Sequence, residues 1–289
     1  MKQRLITAAC LLVLLALVAW QIYTPALVFL VAIFSAIATK EIMDCAKIKN
    51  KVIRLLGVTF SFFTPFFASA SVLEPWVEAT KWDMIINSVD KKVFIIILAL
   101  AFFLAMLKDY ENTKFEDVAI ALVSTVVVPF GFSLFVTLRD ISGFKTQNGV
   151  FLIFYALICA LGTDTGAQLG GMAFGKTKMC PKISPKKTME GAFSGVVTSL
   201  VLNAIAIMLY NKFALYPLLP KETTILMIAA PFISFMSMMG DLTASVLKRN
   251  FDVKDFGNIF PGHGGVMDRF DSSMFTFPLT YVVALVIGW

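Results

Sequence analysis

Asp268 and Asp271 stand three residues apart in a chain that is only 15 % charged. On a helix that spacing puts both carboxylates on one face, about 5–6 Å apart at Cβ, where they repel unless a cation lies between them. Hard divalent cations take oxygen ligands of this kind, so the spacing predicts a metal-binding face. Asp241, Ser245 and Lys248 follow at i, i+4 and i+7 and predict a polar face on an earlier helix. Between the two runs lies Pro261-Gly262-His263-Gly264-Gly265, which holds the single histidine of the chain. This turn cannot sit inside a helix. Its glycines let backbone N–H groups approach an anion, and the start of the following helix adds its dipole. Acids for a metal beside bare amides and the bases Lys248, Arg249, Lys254 and Arg269 predict chemistry on phosphate. A solvated connector between membrane spans would account for any one of these bases, but not for the acid pair.

A second stretch, Leu161-Gly162-Thr163-Asp164-Thr165-Gly166-Ala167-Gln168, puts an aspartate inside an otherwise apolar run. Burying a carboxylate at membrane depth is costly, so Asp164 reads as functional. Gly162, Gly166 and Gly170 form a stripe of small residues that lets a neighbouring helix pack closely. Downstream, Gly175-Lys176-Thr177-Lys178 leads to Ser184-Pro185-Lys186-Lys187-Thr188-Met189-Glu190-Gly191. Ser184 as N-cap and Pro185 in a first helical turn would set Lys186 and Lys187 around a phosphate. A basic cytoplasmic loop would explain the lysines, but not the Ser-Pro before them or the Glu after them.

The elements that must hold these groups are membrane helices. At 289 residues, 58 % of them hydrophobic and 28 of them Phe, the chain is too apolar for a soluble domain. Its mean hydropathy is +0.81. The expected fold is all-α, a polytopic integral membrane protein with about nine spans of near 20 residues each. They are read at 5–23, 26–43, 52–73, 93–107, 118–138, 150–174, 193–210, 223–239 and 272–289. Lys2 and Arg4 resemble the start of a signal peptide, but no small-residue cleavage site follows, so the first span is expected to stay attached.

Basic residues recur in every second loop: Lys47, Lys49, Lys51 and Arg54, then Lys108 and Lys114, then the lysines of 175–192, then 241–271. The positive-inside rule then puts the N-terminus and both charge-rich loops in the cytoplasm and Trp289 outside. Residues 1–138 read as a transmembrane scaffold, with Lys40 and Glu41 pairing or snorkelling at a helix end, and 139–289 as the catalytic region. Pro65 and Pro129 are expected to kink their helices, and Trp20, Trp76 and Trp82 to mark the interface. The net charge of +6 suits an anionic leaflet and gives no reason to invoke nucleic acid. Cys10, Cys45, Cys159 and Cys180 lack C-x-x-C spacing and support neither a zinc site nor a disulfide framework.

The residues also carry a resemblance. Ser245-x-Leu247-Lys248-Arg249, four residues, Lys254-Asp255-x-Gly257, two residues, then Phe260-Pro261-x-His263-Gly264-Gly265-Val266-x-Asp268-Arg269-Phe270-Asp271 resembles the signature of the CDP-diacylglycerol synthases, or phosphatidate cytidylyltransferases. The stretch of Asp164 followed by Ser184 to Gly191 is similar to a second segment of that family. The resemblance implies transfer of the cytidylyl group of CTP to phosphatidate, giving CDP-diacylglycerol and pyrophosphate for phospholipid synthesis at the inner membrane.

It implies Mg²⁺, alone or beside a second cation, held by Asp164, Asp241, Asp268 and Asp271. Lys176, Ser184, Lys186, Lys187, Lys248, Arg249 and Arg269 would receive the triphosphate or the lipid headgroup. His263 with the Gly264 and Gly265 amides would bind the leaving pyrophosphate, and a homodimer is implied as well. Two rivals are weighed against it. A polyprenol kinase would release CDP instead. A transporter would show matching interrupted helices in both halves, whereas the charged elements here lie only in the second half.

Overall fold

The computed structural model describes residues 21–68, 91–142, 147–260, 262 and 264–289. Most of the first expected span, Trp20, Trp76, Trp82, Cys10 and His263 lie outside them. Apolar runs become helices because lipid offers no partner for backbone N–H and C=O groups, which must bond within their own segment. Five of the described helices are long and apolar enough to cross a membrane by length and composition: Pro25–Cys45, Phe115–Asp140, Asn148–Phe174, Met189–Phe213 and Pro220–Asn250. Val93–Lys108 and Ser273–Ile287 are shorter apolar helices. The chain forms two compact units, Met1–Thr137 with Val253–Arg269, and Leu138–Asp252 with Phe270–Trp289. The signature loop thus clusters with the N-terminal half.

In the first unit, α1 (Pro25–Cys45) opens on a proline that suits a first turn, and α2 (Lys51–Phe63) opens on Asn50. The Asn50 carboxamide oxygen accepts from the N–H groups of Val52 at 3.0 Å and Ile53 at 3.2 Å. Its amide donates to the Ala105 carbonyl at 3.2 Å and to Thr113 Oγ1 at 3.0 Å. One buried side chain therefore caps α2 and ties it to the end of α3 (Lys91–Lys108) and the loop before α4 (Phe115–Asp140). Met43, Ile48, Ile53, Phe102 and Val118 close the core.

The two prolines behave differently. α2 stops at Phe63 and Pro65 lies in a 3₁₀ turn, Thr64–Phe67, so Pro65 ends its helix instead of kinking it. Pro129 lies inside α4, where the Ser133 hydroxyl donates to its carbonyl at 2.6 Å.

The second unit begins with α5 (Gln147–Leu157), passes through a π-helical turn at Ile158–Gly162 and continues as α6 (Thr163–Phe174). Such a wide turn shifts the face that later residues present, and it ends just before Asp164. α6 packs on α7 (Met189–Phe213) through the glycine stripe: a Cβ on Gly170 would run into Ser194, and one on Gly195 would stand 2.6 Å from the Thr163 carbonyl. Gly170→Val should cost about 1–3 kcal/mol by overpacking. Thermal unfolding in detergent checks this against Leu169→Val at an exposed position, which should change little.

The Ser184 expectation is corrected. Ser184–Thr188 is a strand, β2, antiparallel to β1 (Lys178–Cys180), with Lys178 opposite Thr188 and Cys180 opposite Ser184. That register leaves more residues on β2 than on β1, a bulge in which Pro185 needs no ladder N–H. The helix starts later. Thr188 is the N-cap of α7, its hydroxyl accepting from Gly191 N–H at 3.1 Å. α8 (Pro220–Asn250) runs for 31 residues, past the expected end of its apolar part and on through Asp241 and Lys248. Asp252, at φ +55°, turns the chain away. A single turn, α9 (Met267–Phe270), and α10 (Ser273–Ile287) close the chain.

Candidate active site

Acids and bases converge in the second unit. Lys187, at the end of β2, sets its Nζ 2.7 Å from Asp241 Oδ2 on α8, and that nitrogen is shielded from solvent. Gly240 makes room for the chain that follows α9: a Cβ there would stand 2.8 Å from the Asp271 carbonyl and from the Phe275 ring. This close approach brings Asp271 to Asp241. Ser272 links two of the acids, its N–H donating to Asp271 Oδ1 at 2.7 Å and its hydroxyl to Asp164 Oδ2 at 3.2 Å. Burial pushes the Asp271 carboxyl up to about 7; the charges of Asp241 and Asp164 add to the rise, while Ser272 N–H and Lys248 oppose it. A carboxyl so far from its usual range, among other acids, is a mark of a functional site.

The helix face expected to carry both Asp268 and Asp271 does not form, because α9 ends at Phe270. Asp268 is buried in the first unit, where its Oδ2 accepts from Phe256 N–H at 2.7 Å and Gly265 N–H at 2.9 Å. The Gly265 amide, expected to meet pyrophosphate, instead donates to this aspartate. Gly264 is at φ +83°, and a Cβ there would meet Asp268 Oδ2 at 2.8 Å, so the turn and the carboxylate fit only with glycine. The Phe260 N–H donates to the Gly264 carbonyl at 2.9 Å and closes the loop.

Of the other candidates, Lys176, Lys186, Arg249 and Arg269 are exposed and Ser184 is half-buried. The backbone amides of Lys176 and Thr177 donate to Glu190, at 3.0 Å and 3.1 Å for Oε2, which tethers the start of the hairpin to α7. Sequence reasoning had missed one contact of the signature loop. Glu41, expected to pair or snorkel, is buried and accepts from the amides of Val266 and Met267.

The profile of the cytidylyltransferase family matches residues 2–287. The chain belongs to that family. A phosphatidate cytidylyltransferase of Staphylococcus haemolyticus is 31 % identical over 287 residues, 99 % of each chain. One of Bacillus subtilis is 37 % identical over 197 residues, 68 % of each chain. One of Staphylococcus aureus strain COL is 38 % identical over 172 residues, 60 % of this chain and 61 % of the relative.

The carboxylate donors of the second unit suit a hard cation. Among the described residues no three His, Cys, Asp or Glu side chains stand close enough to hold a metal by themselves. Mg²⁺ rarely asks for that, since it binds through one or two carboxylates and completes its octahedron with water and substrate phosphate. A crowded Asp271 with Asp241 beside it fits that mode. The shift sets a pH dependence with a definite sign. Because the folded Asp271 carboxyl titrates near 7 against 3.8 when unperturbed, its contribution to stability is present below about pH 4 and lost as pH rises through 7. In chelator, the unfolding temperature of the parent chain should fall relative to that of Asp271→Asn across this window. Added Mg²⁺ should reverse the fall above pH 7.

Proposed function

We infer that this protein transfers the cytidylyl group of CTP to phosphatidate, giving CDP-diacylglycerol and pyrophosphate. The full-length match to a phosphatidate cytidylyltransferase carries the reading, and the acid and lysine cluster of the second unit suits the chemistry. A phosphate oxygen of the lipid attacks the α-phosphorus of CTP, a new P–O bond forms, and the bond to the β-phosphate breaks in line. Both reactants are anions and the lipid phosphate is already ionised, so charge neutralisation and alignment make up most of the task.

Asp164, Asp241 and Asp271 of the second unit would hold Mg²⁺, while Asp268 accepts from amides of its own loop. When bound, the ion would supply positive charge to offset the negative charge of the phosphates. Lys187, held by Asp241, presents fixed positive charge beside that position, and Lys248 on the same helix as Asp241 adds a second. Lys176, Lys186, Arg249 and Arg269 are exposed cations able to receive the triphosphate or the lipid headgroup, and His263 to meet the pyrophosphate.

The same reading includes about nine spans, a cytoplasmic N-terminus and a site on the inner face of the cytoplasmic membrane. The alternation of basic loops supports it, since CTP is in the cytoplasm and phosphatidate in the leaflet. A homodimer rests on the family resemblance alone. The test is product analysis of the purified protein with phosphatidate, labelled CTP and Mg²⁺. CDP-diacylglycerol and pyrophosphate are expected; release of CDP would point to a kinase, and no turnover by folded protein would reject both.

A further inference from the structure

The signature loop of the first unit is rich in glycine and carries amides suited to an anion, yet three of those amides are committed to the protein's own acids. Gly265 N–H goes to Asp268, while Val266 N–H and Met267 N–H go to the two oxygens of Glu41, at 3.0 and 2.9 Å. Consecutive amides converging on one carboxylate form an anion nest. Its occupant comes from α1, 225 residues earlier in the chain than Val266. Glu41 is 6 % exposed. A side chain on Gly257 or on Gly265 would overlap its carboxylate, so both glycines leave the room that this acid fills. One turn further along α1, Cys45 Sγ donates to the Phe256 carbonyl at 3.3 Å, so a single face of the helix grips the loop at two points.

Burying a carboxylate costs free energy that an apolar side chain of the same length would not. What the acid adds over such a residue is direction, since it accepts from two amides and orients the peptides just ahead of Asp268 and Arg269. We propose that Glu41 is a positioning residue for cytidylyl transfer, the carboxylate through which α1 holds the signature loop in its working conformation. The proposal rests on the function inferred above.

Two readouts test it together. Hydrogen exchange in detergent follows the Val266 and Met267 amides in the parent chain, Glu41→Gln and Glu41→Ala. Exchange should quicken at least about tenfold at those amides in Glu41→Ala, less in Glu41→Gln, which keeps one oxygen acceptor, and not at all in the α6–α7 helices. In turnover assays Glu41→Ala should lower kcat about 10- to 100-fold, the range for residues that orient reacting groups through others, with KM for CTP within about threefold. Glu41→Gln should fall between.

Gly265→Ala should lose about as much as Glu41→Ala by displacing the carboxylate, and the double variant should be no worse than either, which is the mark of a shared interaction. Wild-type kcat in Glu41→Gln and Glu41→Ala, additive losses in the double variant, or unchanged exchange would overturn the proposal. Should Glu41→Ala not fold, Glu41→Gln and Gly265→Ala decide it. If the parent chain makes no CDP-diacylglycerol, the inferred reaction fails while the exchange arm still judges Glu41.

Discussion

Asp271→Asn lowers CDP-diacylglycerol formation by at least about 100-fold, the scale of losing one group that acts on charge in the transition state, and leaves the metal-free protein at least as heat-stable as the parent. The two halves of that result have one cause. Burial and the neighbouring charges of Asp241 and Asp164 hold the Asp271 carboxyl near 7, so its ionised form is disfavoured by the fold that houses it. Asparagine keeps the shape and an oxygen for Ser272 N–H, which donates to Asp271 Oδ1 at 2.7 Å, and it relieves the repulsion. It cannot supply the charge a divalent cation needs. A loss of activity accompanied by a lower metal-free unfolding temperature would mean that the carboxylate supports the fold, and the metal assignment would then be withdrawn. Rates at saturating substrate over a Mg²⁺ titration, with scanning fluorimetry in chelator, measure both halves.

Lys187→Met should lower kcat/KM for CTP about 100-fold, while the neighbouring Lys186→Met should cost less than about fivefold. The contrast follows from placement. Lys187 Nζ lies 2.7 Å from Asp241 Oδ2 and is shielded from solvent, whereas the Lys186 side chain is exposed. A shielded charge acts through a lower effective dielectric than an exposed one and is less screened by salt. Removing that cation also leaves the acids of the second unit less compensated. The Mg²⁺ concentration giving half-maximal rate should therefore fall in Lys187→Met even as the rate drops. Arginine at position 187 should restore only part of the activity, because a planar fork does not replace a compact ammonium in a tight pair. Equal losses at the two lysines would indicate general attraction of CTP and not a specific place for Lys187.

Much of the protein was legible without coordinates, for a physical reason. Membrane insertion depends on runs of apolar residues near 20 long, a property of neighbours in the chain. The five long helices fall on runs read from the sequence, with boundaries moved by a few residues or, for α8, by a whole polar extension. The signature and the Asp164 to Gly191 segment are local patterns as well, and they sufficed for the family. Local ambiguity set the first limit. Ser-Pro-Lys-Lys-Thr suits a helix start or a bulged strand, and only pairing with Lys178–Cys180 chose the strand and passed the N-cap to Thr188.

The second limit was distance along the chain. Spacing put Asp268 beside Asp271 on one helix face; the fold ends that helix at Phe270 and has Asp268 accept the amides of Phe256 and Gly265, while Asp271 meets Asp241 and Asp164. Nothing near Glu41 in the sequence foretells the two amides it accepts more than two hundred residues later, nor that Gly257 and Gly265 are small to admit it. Composition and local pattern determined that the chain enters a membrane and which of its segments carry clustered charge. Which carboxylate faces another and which faces an amide was decided by tertiary packing alone, because such a contact depends on where two distant segments meet and leaves no period or spacing in either.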